Sequence, residues 1–229
     1  MFNGRTILIT GAASGLGRAW AEGFNADGAT VVAADINGEG LKKVPARVHL
    51  TVDVSDSNQV EQMILDSIEQ TGRIDVLFNN AGVGFNKRLE NSSKGDFEQH
   101  IAVHLFAMVN AIRAAIPYMR TQNYGRIINT ISRNAEYDVI GTSAYAAAKA
   151  AMWAASRVTA AELHDTNILI NMLIPGPTRT AIWGKDMPKF QEPSATYATA
   201  KMLASLGNDG PSGKVFWNEV EYSLFQEGN

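Results

Sequence analysis

Tyr145 and Lys149 stand four residues apart in the run Tyr145-Ala146-Ala147-Ala148-Lys149. In a helix that spacing puts a phenol and an ammonium on one face. A free phenol, with a pKa near ~10, is too weakly acidic to act as a base at neutral pH. A neighbouring cation favours its ionised form. In an arbitrary protein such a pair is surface decoration on an amphipathic helix; the upstream sequence changes that judgement. Thr10-Gly11-Ala12-Ala13-Ser14-Gly15-Leu16-Gly17 follows directly on the apolar run Ile7-Leu8-Ile9. A buried strand, a three-glycine turn and a helix in that order bring bare backbone N–H groups to a pyrophosphate at a helix N-terminus. The spacing is G-x-x-x-G-x-G, and alone it would also suit an ordinary strand-to-helix loop.

Acids follow at the ends of the next strands. Asp35 lies about 20 residues beyond the glycines, where a carboxylate accepts hydrogen bonds from both ribose hydroxyls of an adenosine. It would repel a 2′-phosphate, so NAD is expected over NADP, and Ser14 offers no cation to greet that phosphate. The plainer reading of Asp35 is a helix cap or a solvated loop acid. Asp53, followed by Val54, suits an adenine edge and a capping aspartate about equally. His100 and His104 form an i,i+4 pair, but no third ligand accompanies them, so no metal site is expected.

Alternating elements must position these groups. Strands are expected at 5–10, 30–34, 48–52, 74–78, 126–131, 168–174 and 214–217, and helices at 16–26, about 60–71, 97–119 and 143–163. The strands are continuous apolar runs, as in a parallel sheet buried on both faces. The alternation predicts an α/β, doubly wound, mainly parallel sheet of about seven strands with helices on both faces. The turn clusters, including Asn79-Asn80-Ala81-Gly82 and Pro175-Gly176-Pro177, fall at carboxyl ends of strands, where such sheets bind ligands.

Composition excludes several alternatives. The chain has 229 residues, 45% of them hydrophobic, and a net charge of −3. That length fits one large α/β domain over 1–229. The acidic balance argues against a nucleic-acid partner. No run of about 18 apolar residues lacks a polar break, so no membrane span is expected. No basic-then-apolar leader precedes the first strand. There is no cysteine, which excludes disulfides and thiolate catalysis and makes a reducing cytoplasm the simplest compartment.

Taken together, Thr10-Gly11-x-x-x-Gly15-x-Gly17, Asn79-Asn80-Ala81-Gly82, Ser132, Tyr145-x-x-x-Lys149 and Pro175-Gly176 resemble, in order and spacing, the short-chain dehydrogenases/reductases of the single-domain type. The resemblance covers roughly residues 1–180 and implies a Rossmann-like fold. It implies that Tyr145 is the acid/base, that Ser132 polarises the substrate oxygen, and that Lys149 lowers the Tyr145 pKa and holds the nicotinamide ribose. The cofactor-binding set it implies is Gly11, Ser14, Gly15, Leu16, Gly17, Asp35, Ile36, Asp53, Val54, Asn79, Ala81, Gly82, Tyr145, Lys149, Pro175, Gly176, Thr178 and Thr180. One departure stands out: where the family usually has asparagine, this chain has His104. A histidine keeps the main-chain carbonyl that holds a relay water in the family, so activity is expected to persist; the alternative is that its ring alters the helix bend or the pH profile.

The expected activity is hydride transfer between NAD(H) and a secondary alcohol or ketone. A 3-oxoacyl-thioester reductase is an alternative, weakened by the lack of a basic patch for a carrier protein. A non-catalytic nucleotide sensor is another, favoured only by His104. Substrate choice is expected from the segment near 176–205, with Trp183, Met187, Phe190 and Tyr197, and from Phe85, Arg133, Asn134 and Tyr137. Their aromatic character points to a mainly apolar or aromatic small molecule. Arg133 reads as a solvated surface arginine more readily than as a carboxylate's partner. The alanines of the 143–163 helix (Ala146, Ala147, Ala150, Ala151, Ala154, Ala155) allow close helix approach in a homodimer or homotetramer.

Overall fold

The computed structural model describes residues 2–180, 182 and 189–225. Its strands are β1 (Thr6–Thr10), β2 (Thr30–Asp35), β3 (Val48–Thr51), β4 (Val76–Asn79), β5 (Gly125–Thr130), β6 (Ile168–Ile174), β7 (Val215–Trp217) and β8 (Val220–Glu221). They form one eight-stranded sheet in the order β3-β2-β1-β4-β5-β6-β7-β8. All neighbours pair in parallel except β7 and β8. The order reverses beside β1, so a crevice opens between the carboxyl ends of β1 and β4.

Alternation along the strands divides the core. Leu8 packs with α3 (Ser57–Thr71), α5 (Ala107–Thr121) and α6 (Ser143–Glu162) on one face; Ile7 and Ile9 pack with α1 (Gly15–Ala26) and α7 (Tyr197–Ala204) on the other. Every residue of β1 and β6 is buried, which is why these strands read as apolar runs, interrupted in β6 by Asn171, whose side chain bonds to Pro211 and Lys214. The eighth strand was not expected. Its two residues are exposed, so it carries no apolar signal, and the turn before it uses Asn218 and Glu219 at positive φ rather than a glycine.

The expected helix 97–119 is in fact three segments: α4 (Lys94–His100), a π-turn over Ile101–Phe106, and α5. A capping box of Ser93 and Asp96 starts it. The whole run, Lys94–Thr121, is long and apolar enough by length and composition to cross a membrane. Here α5 lies against β4, β5, β6 and α3. The segment near 176–205 also divides. Phe190 reaches the crevice, but Tyr197 does not: it begins α7, packs edge-on on Phe24 and donates to Asp27. Trp183 and Met187 lie outside the described residues.

The glycine turn is fixed by contact. Gly11 has φ +69°, and a Cβ there would sit 2.8 Å from the Ala81 Cα. A Cβ on Gly17 would sit 2.3 Å from the Gly11 carbonyl oxygen. Gly17→Ala is therefore expected to wedge α1 away from the turn, costing about 1–3 kcal/mol as overpacking does. A lower urea midpoint together with weaker NADH binding checks this.

Candidate active site

Three side chains knot the crevice. The Thr10 hydroxyl donates to the Phe78 carbonyl (3.1 Å) and accepts from the amides of Asn80 and Ala81 (3.0 Å each). The Asn80 amide group donates to the Thr10 carbonyl (2.9 Å), and Thr130 donates to its oxygen (3.4 Å). These bonds hold the carboxyl ends of β1, β4 and β5 together around a cleft of about 1120 Å³.

One end of the cleft suits a dinucleotide's phosphates and adenosine. Gly11, Ser14, Gly15 and Leu16 line it, and the side chain of Ser14, the N-cap of α1, makes no capping hydrogen bond. Its first amides and the positive end of its dipole thus face the cleft, which fits a pyrophosphate. Asp35, Ile36, Asp53 and Val54 line the adjoining wall. Asp35 also does the work of a cap: it accepts from the amides of Ala13 (3.0 Å) and Asn37 (2.8 Å), tying the glycine turn to the end of β2. Asp53 accepts from Ser55 ahead of α3, whose N-cap is Asp56.

Two expected cofactor residues do not reach the cleft. Gly17 is buried against the turn. Asn79 is buried and donates to Asn129, which in turn donates to Ser156 of α6 (2.8 Å each). Both shape the cleft from behind. Asn80 lines it instead; the alternation of side chains at the end of β4 was the available signal. Phe85 packs edge-on on His100, 4.5 Å between ring centres, and is not part of the lining.

The other end carries the chemistry. Ala81, Gly82, Ser132, Tyr145, Lys149, Pro175, Gly176, Thr178 and Thr180 all line it. Ser132 precedes a 3₁₀ turn, and its hydroxyl accepts from the Asn134 amide (3.2 Å). Tyr145 and Lys149 project from the first turns of α6. Tyr145 is hydrogen-bonded to Ser132; burial pushes its phenol up to about 12, partly offset by that bond. Lys149 donates to the Thr130 carbonyl (2.7 Å), and burial pushes its ammonium down to about 7. The expected lowering of the Tyr145 pKa by Lys149 is thus not the effect found here. Desolvation acts on both groups and favours the neutral form of each.

His104 sits in the π-turn and is buried. Its Nε2 donates to the Val83 carbonyl (2.7 Å), and its Nδ1 has no hydrogen-bond partner among the described residues. Burial, then the charge of Lys149, hold its pKa well below the ordinary 6.5. The ring stands edge-on to Tyr145 (5.3 Å) and stacks on His100 (5.9 Å). A Cβ on Gly82 would come 2.7 Å from its Cε1, so the glycine makes room for the imidazole. Among the described residues no three potential ligands gather for a metal.

A family model described as short chain dehydrogenase matches residues 5–190. The chain is similar to the 3-oxoacyl-[acyl-carrier-protein] reductase FabG of Thermotoga maritima, 35% identical over 220 residues, covering 93% of this chain and 87% of that protein. The crystal structure of levodione reductase superposes with a TM-score of 0.84 at 29% identity, over 94% of this chain and 96% of that one. A 3-ketoacyl-(acyl-carrier-protein) reductase from Brucella melitensis, solved with NADH, gives 0.88 at 24% identity, over 93% and 96%, a likeness of fold. This chain belongs to the short-chain dehydrogenase/reductase family: it is a Rossmann-fold oxidoreductase that binds a nicotinamide nucleotide.

The buried lysine predicts a pH dependence. In the unfolded chain Lys149 keeps its proton up to its ordinary 10.5, in the folded cleft only to about 7. Between those values the unfolded chain binds more protons, so this contribution to stability rises with pH. Above 10 the unfolded phenol of Tyr145 ionises while the folded one holds its proton to about 12, and the trend reverses. Lys149→Met is expected to flatten the rise from pH 7 to 10, read as urea midpoints of the ligand-free protein.

Proposed function

We propose that this chain transfers a hydride between NAD(H) and a secondary alcohol or ketone, with Ser132, Tyr145 and Lys149 as the catalytic set. The observation that carries this reading is the hydrogen-bonded Ser132–Tyr145 pair beside the buried Lys149, in a cleft whose far end is an uncapped helix N-terminus. When bound, the nicotinamide ring supplies or accepts the hydride. Ser132 hydrogen-bonds the substrate oxygen. Tyr145, protonated over the whole neutral range, gives its proton to that oxygen in reduction and takes it back in oxidation. Lys149, held at the Thr130 carbonyl, moves toward the ribose and replenishes the phenol. His104 stays neutral and positions Tyr145 through the edge of its ring. Pro175, Thr178 and Thr180 hold the nicotinamide end.

NAD is proposed over NADP because Asp35 and Asp53 face the adenosine end while no cation among the described residues lines it. A 2′-phosphate there would meet like charge. The similarity to the Thermotoga reductase makes a 3-oxoacyl thioester a substrate to include in any panel.

In an assay of NADH-linked turnover on ketones and alcohols, NADH is expected to exceed NADPH by at least ~10-fold in kcat/KM. Tyr145→Phe is expected to lower kcat by about 10²–10⁴-fold, the size of a lost general acid, while NADH still binds. Cofactor binding without turnover on any substrate would favour the sensor reading. We further propose a cytoplasmic homodimer or homotetramer built through α5 and α6. Phe106 at the end of the π-turn, Val109 on α5 and Val158 on α6 are exposed apolar side chains, the kind a subunit contact covers. A solution mass above 24.8 kDa, lowered to one chain by Phe106→Asp with Val158→Asp, checks it.

A further inference from the structure

The cleft reaches past Ser132 to a cation with no anion beside it among the described residues. Arg133 follows Ser132 in the chain, and both line the cleft with Asn134 and Tyr137. The Arg133 guanidinium lies 4.1 Å from the ring centre of Trp217 and 4.7 Å from that of Tyr137. Among the described residues these ring contacts are its only side-chain interactions: it has no carboxylate and no hydrogen-bond acceptor. It is not the freely solvated arginine expected from the sequence. A guanidinium over rings uses its faces and keeps its in-plane N–H donors for other partners.

The chain's last segment creates this arrangement. Trp217 ends β7 and meets Tyr222 edge-on at 5.8 Å. Glu136, the acid nearest along the chain, is engaged elsewhere: the Tyr222 hydroxyl donates to one of its oxygens, and the Phe225 amide donates to the other (2.9 Å). The tail therefore places a ring on Arg133 and occupies the acid that could have neutralised it. The remaining charges among the described residues that line the cleft are accounted for. Glu98 pairs with Lys94 (2.8 Å), Lys149 points to the Thr130 carbonyl (2.7 Å), and Asp35 and Asp53 lie at the adenosine end.

We propose that the substrates are oxo acids and the corresponding hydroxy acids, bound with the carbonyl or hydroxyl oxygen at Ser132 and Tyr145 and the carboxylate paired with Arg133. This rests on the oxidoreductase reading above and narrows it. A planar fork of N–H donors matches a carboxylate in two-point contact. Val139 and Phe190, also in the lining, offer the rest of the substrate an apolar surface. In reduction the carbonyl carbon gains a hydride from the dihydronicotinamide and the oxygen gains the Tyr145 proton; hydroxy acid and oxidised cofactor leave.

The test pairs each acid with its own methyl ester. Hexanoic acids carrying the oxo group at the second, third or fourth carbon are compared with their esters as substrates under NADH. At the best position the acid is expected to exceed the ester by ~10–100-fold in kcat/KM, the range of a charge-assisted pair. Arg133→Gln is expected to bring that ratio to about one, and Arg133→Lys, which keeps the charge but not the fork, to retain part of it. The same pairs are titrated against the NADH complex of Tyr145→Phe, with and without Arg133→Gln, by NADH fluorescence. This reads anion preference without chemistry. Acid and ester treated alike, or a preference that survives Arg133→Gln, overturns the proposal. An acid preference in binding that depends on Arg133, with no turnover in the unmodified enzyme, supports the oxo-acid site and counts against the catalytic reading alone.

Discussion

The hydroxyl of Thr10 holds the site together. It is saturated, with one donated and two accepted hydrogen bonds, and every partner belongs to β4 or the loop after it. Asn80 extends the knot to Thr130, and the carbonyl of Thr130 receives Lys149. A polar path thus runs from the glycine turn across three strand ends to the helix that bears the phenol. Side chains on α1, β4, β5 and α6, far apart in sequence, acquire fixed relative positions from it. A buried hydroxyl or amide is costly unless bonded, so the native arrangement of these strand ends is the one that satisfies all of them at once.

Behind that knot a second polar chain, Asn79 to Asn129 to Ser156, pins α6 to the sheet. Alanine gives the helix little side-chain bulk with which to define its own seat, so these bonds and Met152 set its depth. The result is a phenol and an amine both withdrawn from water. Their charged forms are disfavoured together, because burial acts on both.

Much of this was legible in the sequence because the signals were local. Continuous apolar runs marked seven strands, and β6 falls on 168–174 as expected. Glycine spacing and the Tyr145–Lys149 interval located both ends of the cleft. What escaped was set by geometry that no pattern of residue types carries. Hydrophobic periodicity cannot show the π-turn that widens the helix at His104. Asn79 and Asn80 look equivalent on paper, yet one turns to the core and the other to the cleft. Tyr197 resembled a substrate contact by composition, while its ring belongs to the packing of α7 on α1. Arg133 looked like a surface residue because the nearer of its two rings, Trp217, is remote in the chain.

That remoteness has a temporal side. Trp217 and Tyr222 lie more than eighty residues beyond Arg133. Chains emerge from the ribosome amino end first, at roughly 5–20 residues per second. For several seconds after α6 has been made, the nascent protein has Ser132, Tyr145 and Lys149 but not the Trp217 ring that packs on Arg133 beside them. Until the final strand pair is made, Arg133 lacks the Trp217 ring that the finished fold sets over it.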